Sequence, residues 1–294
     1  MVSDACRQLL LELQRFSAKL ANGFFNHLPM ALVALDRLGG DEARLRAFAA
    51  LYSKQLRPKS DAEIALVEKF KDGRIPKLSD GVASQAFHCL IRLAYAIDSG
   101  VEEEIPDALA AWSIGRTLSA PTGRGAQRAP LFAEIAADDR FPRSIEGRSI
   151  SGRIAKVMAL PAFSDYIVDD AALPEIALIS AKIYASTGDF TALHMVTGCH
   201  AMRILAPYLG EDALSTFATV ILAAYVTIGR PPIVEHDLHD LPDDAVLAAH
   251  AVTSDDDHDL KLVYSCLREE AEYQTGWHRL GAAVRVGLRR TIPA

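Results

Sequence analysis

Residues 176–209 read IALISAKIYASTGDFTALHMVTGCHAMRILAPYL, and this stretch decides the fold. It predicts two helices that meet at a tight Ser-Thr-Gly-Asp corner. Gly188 suits the left-handed residue that ends the first helix, and Asp189 suits the N-cap of the second. The second helix carries His194 and His200 among apolar and small residues. We therefore expect a buried helix with imidazoles inside the protein.

Helical periodicity continues on both sides of this corner. The sequence predicts apolar helices over residues 81–98 and 211–228, a polar loop after the second of these, and two last helices near 256–272 and 276–290. No stretch alternates polar and apolar residues for long enough to indicate a half-buried strand. The expected fold class is all-α, a single large bundle-like helical domain over residues 1–294 with a buried site between helices.

Composition excludes several functional classes. The chain has 294 residues, half of them hydrophobic, and a net charge of −7, which argues against a nucleic-acid partner. Its most apolar run, residues 217–229, is shorter than the roughly 20 residues of a membrane helix. Four widely spaced cysteines and the lack of a signal-peptide pattern favour the cytoplasm. The acidic runs 102–104 and 255–257 are expected to be solvated.

Standard catalytic motifs are missing from the sequence. There is no GxGxxG, GxxxxGK[ST], HExxH or GxSxG pattern, and the GRG at 123–125 is too short to indicate a phosphate-binding loop. Any chemistry must therefore come from residues that are scattered along the chain and brought together by the fold.

Four of the nine histidines lie in or at the mouth of predicted apolar helices, and these are His27, His88, His194 and His258. Any one of them alone is more often a core histidine that is hydrogen-bonded to a carbonyl or carboxylate. Neutral imidazole is, however, the commonest ligand of first-row metals. A helical bundle can bring such side chains from separate helices to one buried point. The sequence thus predicts that the four imidazoles converge.

A lysine accompanies this set, and other candidates are set aside. Lys261 follows His258 by three residues and shares its helix face; a buried neutral lysine can also take up carbon dioxide and bind metal as a carbamate. His200 lies about 240° around the helix from His194, so it is expected in a second shell or at the surface. Three further residues are not expected to be ligands, namely Lys182, His236 and His239.

The chain resembles the questin oxidase-like family at these residues. The matching motifs are NGFFNHLPMALVALDRLGG, FHCLIRLAYAID, FTALHMVTGCHAMRIL and HDLKLVYSCLRE, which occur in family order from about residue 22 to residue 272. The resemblance implies an all-helical oxygenase. Fungal relatives oxidise anthraquinones in a Baeyer–Villiger-type reaction with NADPH, and some resemble mononuclear non-haem iron enzymes. Its implied metal ligands are the four histidines named above and Lys261 of the HxxK pattern.

Two departures limit what carries over from the family. The chain is shorter than the fungal enzymes, and it has no recognisable NADPH fingerprint. The fungal substrate therefore does not carry over, and NADPH is implied by the resemblance alone.

The leading hypothesis is a cytoplasmic oxidoreductase, a mono- or dioxygenase, that uses Fe(II) and dioxygen on an aromatic small molecule. Arg92 and Tyr95 follow His88 by one and two helical turns and are the candidate catalytic residues, although an ion pair and a core position are the simpler expectations for them. The alternatives are a non-enzymatic helical small-molecule-binding protein and a metal-dependent hydrolase. We expect no nucleic-acid or membrane partner.

Overall fold

The computed structural model describes residues 1–78, 81–115, 127–128 and 132–291, and its helices confirm the all-α prediction. The α-helices, in chain order, are α1 (Asp4–Leu13), α2 (Leu28–Arg37), α3 (Glu42–Tyr52), α4 (Asp61–Glu68), α5 (His88–Ser99), α6 (Glu104–Ser113), α7 (Phe132–Ala137), α8 (Ile150–Met158), α9 (Leu173–Thr187), α10 (Phe190–Leu205), α11 (Ala213–Thr227), α12 (Asp244–Val252), α13 (Asp257–Tyr273) and α14 (Trp277–Arg285). Short 3-10 helices cover Ser53–Gln55, Pro161–Tyr166 and Ala206–Tyr208. The GRG at 123–125 lies outside the described residues.

Helix α10 is the central helix of the fold. Every residue from Thr191 to Met202 is buried, as expected for a helix that is apolar on all sides. It packs against α5, α9, α11 and α13. The corner before it forms as the sequence predicts: Gly188 has φ +63°, and the Asp189 carboxylate accepts hydrogen bonds from the first turn of α10.

Little strand accompanies the helices in the described part of the chain. The strands β1 (Gln127–Arg128) and β2 (Val168–Asp170) form one short parallel pair. Buried hydrophobic side chains form one main cluster that extends from Cys6 to Ala283. Across the described ranges, no helix has the length and apolar character that a membrane crossing requires.

The structure departs from the helix predictions at two places. Helix α5 begins at His88 rather than at residue 81, because Gln85, Ala86 and Phe87 all have left-handed backbones with φ of 52°, 56° and 67°. The apolar pattern of residues 81–98 carries no information about this turn. The predicted polar loop after α11 also contains α12, whose buried face consists of Leu247 and Ala251 alone. So narrow an apolar stripe gives a weak periodic signal.

Candidate metal centre

The four histidines singled out in the sequence lie together, each near the start of a helix. His27 is the N-cap residue of α2, His88 is the first residue of α5, and His258 is the second residue of α13. His194 lies in the second turn of α10. The partial positive charge at a helix N-terminus disfavours protonation of an imidazole. For His27, His88 and His194 this effect favours the neutral ring, which is the form that binds metal.

The four rings form a closed circuit, which we call the histidine cluster. Ring centroids are 4.7 Å apart between His27 and His88, whose planes are nearly parallel, and 4.9 Å apart between His88 and His194. The circuit continues at 5.7 Å from His194 to His258 and closes at 4.9 Å from His258 to His27. The predicted convergence of these side chains is therefore a feature of the structure, whereas their role as ligands stays a prediction.

Two histidines of the cluster face each other through their Nε2 atoms. His88 Nδ1 donates to the carbonyl of Gln85, and His194 Nδ1 donates to the carbonyl of Phe190 at 2.8 Å. A carbonyl can only accept, so each neutral ring carries its proton on Nδ1 and a lone pair on Nε2. The two Nε2 atoms are 3.3 Å apart. Two facing lone pairs repel each other unless a cation lies between them.

Asp257 connects the other two histidines to the lysine. Its Oδ1 lies 2.9 Å from His27 Nδ1, 2.9 Å from His258 Nδ1 and 3.0 Å from Lys261 Nζ. The Asp257 side chain is 14% exposed. The expectation that the acidic run 255–257 is solvated is therefore wrong for this residue. The Asp257–Lys261 spacing of four residues, which favours a helical ion pair, is a sequence signal that could have identified this residue.

Asp257 is the partner of His27 Nδ1 and the nearer partner of His258 Nδ1, which also lies 3.3 Å from Asp256 Oδ1; the Nε2 atoms of both rings are left without a partner. Both Nε2 atoms are buried, and neither has a hydrogen-bond partner among the described residues. A buried polar atom of this kind calls for an unseen water or ion. Metal-binding histidines commonly donate their second nitrogen to a carboxylate or carbonyl, which fixes the tautomer of the ring. All four rings of the cluster show this arrangement.

Within the described ranges, His27, Asp257 and His258 also offer donor atoms that all lie within 4.8 Å of one another. A cation bound directly to Asp257 would lie beside the Lys261 ammonium and would leave two buried Nε2 atoms unpaired. The geometry therefore favours Asp257 as the carboxylate that orients the two rings. Adjacent nitrogen ligands at about 2.1 Å from one ion lie roughly 3.0–3.4 Å apart, which matches the His88–His194 separation. The residues present fit a first-row metal ion.

The pKa values of three histidines favour neutral imidazoles next to the Asp257–Lys261 ion pair. Burial, together with the Lys261 ammonium, lowers the pKa of His27 to about 4. Burial also holds the pKa of His88 and of His194 well below the ordinary value. Burial acts to raise the pKa of Asp257, but Lys261 and the two histidine hydrogen bonds outweigh it and hold that pKa well below its usual range. The pKa of Lys261 is lowered, chiefly by burial.

Aromatic rings surround the histidine cluster. Phe25 stacks on His88 at a centroid distance of 5.4 Å and on His27 at 6.5 Å. Phe190 meets His194 and His258 edge to face, at 4.7 Å from each. Two apolar rings thus cover part of the cluster, next to the Asp257–Lys261 pair, and a metal held there would be partly shielded from water.

The two candidate catalytic residues have structural partners. Arg92 forms a buried ion pair with Glu104 at 2.5 Å. Tyr95 Oη lies 3.2 Å from the Lys261 carbonyl, to which it donates. Arg92 thus makes an ion pair and Tyr95 lies in the core, which are the simpler expectations for these residues. The catalytic role of both residues stays a prediction.

The histidines and the lysine that were set aside lie in other surroundings. His200 is buried and donates from Nδ1 to Glu269 at 2.7 Å, so the expectation of a surface position is wrong for it. His236 bonds Ser186 at 3.1 Å, and His239 lies in the loop before α12, where its carbonyl accepts from Arg289. Lys182 pairs with Glu235 at 2.6 Å.

The comparisons with known proteins point to one family. The model of the family described as questin oxidase-like matches residues 40–266, more than half of the chain. The matched range contains His88, His194, Asp257, His258 and Lys261, whereas His27 lies just before it. No curated protein matches the chain. The match over this range shows that the chain belongs to the questin oxidase-like family.

Proposed function

We propose that this protein is a metal-dependent oxygenase that uses Fe(II) and dioxygen to oxidise an aromatic or polyketide-like small molecule. Membership of the questin oxidase-like family indicates an oxidoreductase of aromatic polyketide-type compounds. The finer statement, that the reaction needs a metal and that the metal is iron, is the proposal made here. NADPH is the electron donor to test, because an oxygenase that inserts a single oxygen atom needs two further electrons.

One observation carries the metal part of the proposal. His88 and His194 hold their protons on Nδ1 against backbone carbonyls, while their Nε2 atoms face each other at 3.3 Å. Protonating one ring would turn this contact into a hydrogen bond, but burial lowers the pKa of both rings. A metal cation removes the repulsion without protonation. Iron is favoured because imidazole suits it and because the family is an oxidase family.

The residues of the site would then have distinct roles. The histidine cluster would hold the ion through Nε2 atoms, and Asp257 would fix the rings of His27 and His258 through their Nδ1 protons. The prediction that Lys261 is itself a ligand stays untested. Paired with Asp257 at 3.0 Å, its ammonium would balance the charge of that carboxylate, and it could bind metal only after losing its proton. Spin-paired organic molecules react slowly with dioxygen, and bound Fe(II) would supply the one-electron steps that this reaction needs. Phe25 and Phe190 would limit the access of water.

Metal analysis of protein purified without air tests the proposal. We expect about one iron per chain, retained after desalting, and oxygen uptake when hydroxyanthraquinones or naphthols are added with NADPH. A protein that retains no metal after incubation with Fe(II) would support a non-enzymatic binding protein instead. Turnover of an ester substrate at an unchanged rate without oxygen would favour the hydrolase alternative, which uses the same ligands.

A further inference from the structure

Phe190 differs from the rest of its helix in being exposed. It is the first residue of α10 and is 49% exposed as a residue, whereas the twelve residues that follow are all buried. Its backbone is fixed on both sides: Asp189 caps the helix, and the Phe190 carbonyl accepts from His194 Nδ1 at 2.8 Å. The ring therefore has a defined position at the boundary between the histidine cluster and solvent.

The ring of Phe190 touches the two histidines that lie on either side of it. Its centroid is 4.7 Å from that of His194 and 4.7 Å from that of His258, with interplanar angles of 74° and 61°. The ring therefore packs against both imidazoles, while about half of the residue's surface faces outward. This outward surface is apolar and lies next to the histidine cluster, so it is available to contact the apolar part of another molecule.

The histidine cluster is partly accessible to solvent. The side chains of His258 and Asp257 are each 14% exposed, and that of His27 is 11% exposed. Because His258 also contacts the Phe190 ring, part of the accessible surface of the cluster lies next to that ring. An aromatic molecule would meet the outward surface of Phe190 before it meets the imidazoles, and paired aromatic rings gain from offset or edge-to-face contact beyond the area they bury.

We propose that Phe190 forms one wall of the entrance to the site and binds the aromatic ring of the substrate. This inference rests on the proposed function for the identity of the substrate class, but it concerns a different step, since Phe190 offers no ligand atom to a metal. Phe190 acts in recognition and orientation of the substrate. The ring contributes to affinity for flat aromatic molecules and leaves the content of metal unchanged.

The test measures binding of 1,8-dihydroxyanthraquinone and metal content in the same set of full-length variants. Phe190→Leu keeps an apolar side chain and removes the ring, so we expect the dissociation constant of the probe to rise about five- to tenfold with metal content unchanged. Phe190→Trp, which restores a ring, should recover most of the affinity. Phe24→Leu is the matched control, because Phe24 is also exposed, at 62%, and has no ring contact with the histidine cluster in the described part of the chain. It should bind the probe like the wild type.

Three results of the binding measurements would overturn the inference. They are probe affinity in Phe190→Leu equal to that of the wild type, an equal loss of affinity in Phe24→Leu, and no binding of the probe by metal-loaded wild-type protein. Loss of metal in Phe190→Leu would also overturn it, because the residue would then be a structural support of the histidines. Failure of the proposed function would look different. The wild-type protein would then retain no metal, but if the inference holds, the probe would still bind more weakly to Phe190→Leu than to the wild type, Phe190→Trp and Phe24→Leu.

Discussion

Replacing Asp257 with asparagine removes the one carboxylate that joins two histidines and the buried lysine. The carboxylate accepts from His27 Nδ1 and His258 Nδ1 at 2.9 Å each and from Lys261 Nζ at 3.0 Å. In Asp257→Asn the bonds to the two rings become neutral and weaker, because an amide oxygen replaces the carboxylate Oδ1 that both Nδ1 atoms contact. Changes of such outer carboxylates commonly reduce metal affinity about 10–100-fold, which is roughly 1.4–2.7 kcal/mol.

The same substitution has a second effect on the metal-free protein. Lys261 is buried, and without Asp257 its ammonium has lost its close counter-charge. Removing one partner of a buried ion pair costs about 3–5 kcal/mol of unfolding free energy, and this is an upper limit because burial already lowers the pKa of Lys261 and allows it to lose its proton. We therefore expect both a lower thermal midpoint and a weaker affinity for metal.

A double variant separates the two effects. Asp257→Asn with Lys261→Met removes the uncompensated charge, so the stability of the metal-free protein should return while the metal affinity stays low. Anaerobic competition with a chromogenic chelator for Fe(II) gives the affinity, and thermal unfolding gives the stability. Asp255→Asn is the control from the same acidic run, because its side chain is 64% exposed and pairs with Arg44 instead. Metal affinity in Asp257→Asn within twofold of the wild type would refute the orienting role of Asp257. Full recovery of metal affinity in the double variant would show that the loss comes from the unpaired Lys261 instead.

The remaining predictions concern the ligands, pH and the buried ion pair. Alanine in place of any member of the histidine cluster should lower metal content sharply, whereas His236→Ala and His239→Ala should not; retention of metal by all the cluster variants would contradict the site. The pKa of His27 is about 4 in the folded protein and near 6.5 in the unfolded chain, so the unfolded chain binds more protons between these pH values. The contribution of a neutral His27 to stability should therefore be fully present above about pH 6.5 and be lost as the pH drops towards 4. A thermal midpoint unchanged from pH 7.5 to pH 5 would count against a buried neutral His27. Arg92→Met should lower the free energy of unfolding by about 3–5 kcal/mol, because it leaves the Glu104 carboxylate without its counter-charge, and adding Glu104→Leu should restore that stability. Normal turnover in the Arg92→Met/Glu104→Leu double variant would show that Arg92 is not catalytic.

The members of the histidine cluster were predictable jointly, because each lies in or at the mouth of a predicted apolar helix and all four fall on motifs that resemble the questin oxidase-like family. Asp257 was not, because it lies in a run of three aspartates that looks solvated. Its burial depends on His27, which is 230 residues away, and on Lys261, one turn further along α13. Contacts of that kind are set by tertiary packing. A single sequence gives no direct signal for them beyond the helical spacing of Asp257 and Lys261.

The corner between α9 and α10 was predictable because its two residues have local roles: Gly188 adopts a left-handed backbone, and Asp189 caps the N-terminus of α10. The start of α5 was not, because an apolar run such as residues 81–98 continues unchanged across a left-handed turn. There the backbone follows the tertiary position of Phe87, which packs against Phe217 and lies beside Gly198.

The left-handed turn before α5 has a consequence for how the site assembles. Each non-glycine residue in this conformation costs on the order of 1–2 kcal/mol, so Gln85, Ala86 and Phe87 together make the first turn of α5 locally unstable. The burial of Phe87 opposes this cost. Local opening here would release the strain and withdraw His88 while α10 and α13 stay folded. Amide exchange in the metal-free protein should then be faster at this turn than in α10 and α13, and metal uptake should proceed with His88 as the last histidine to engage.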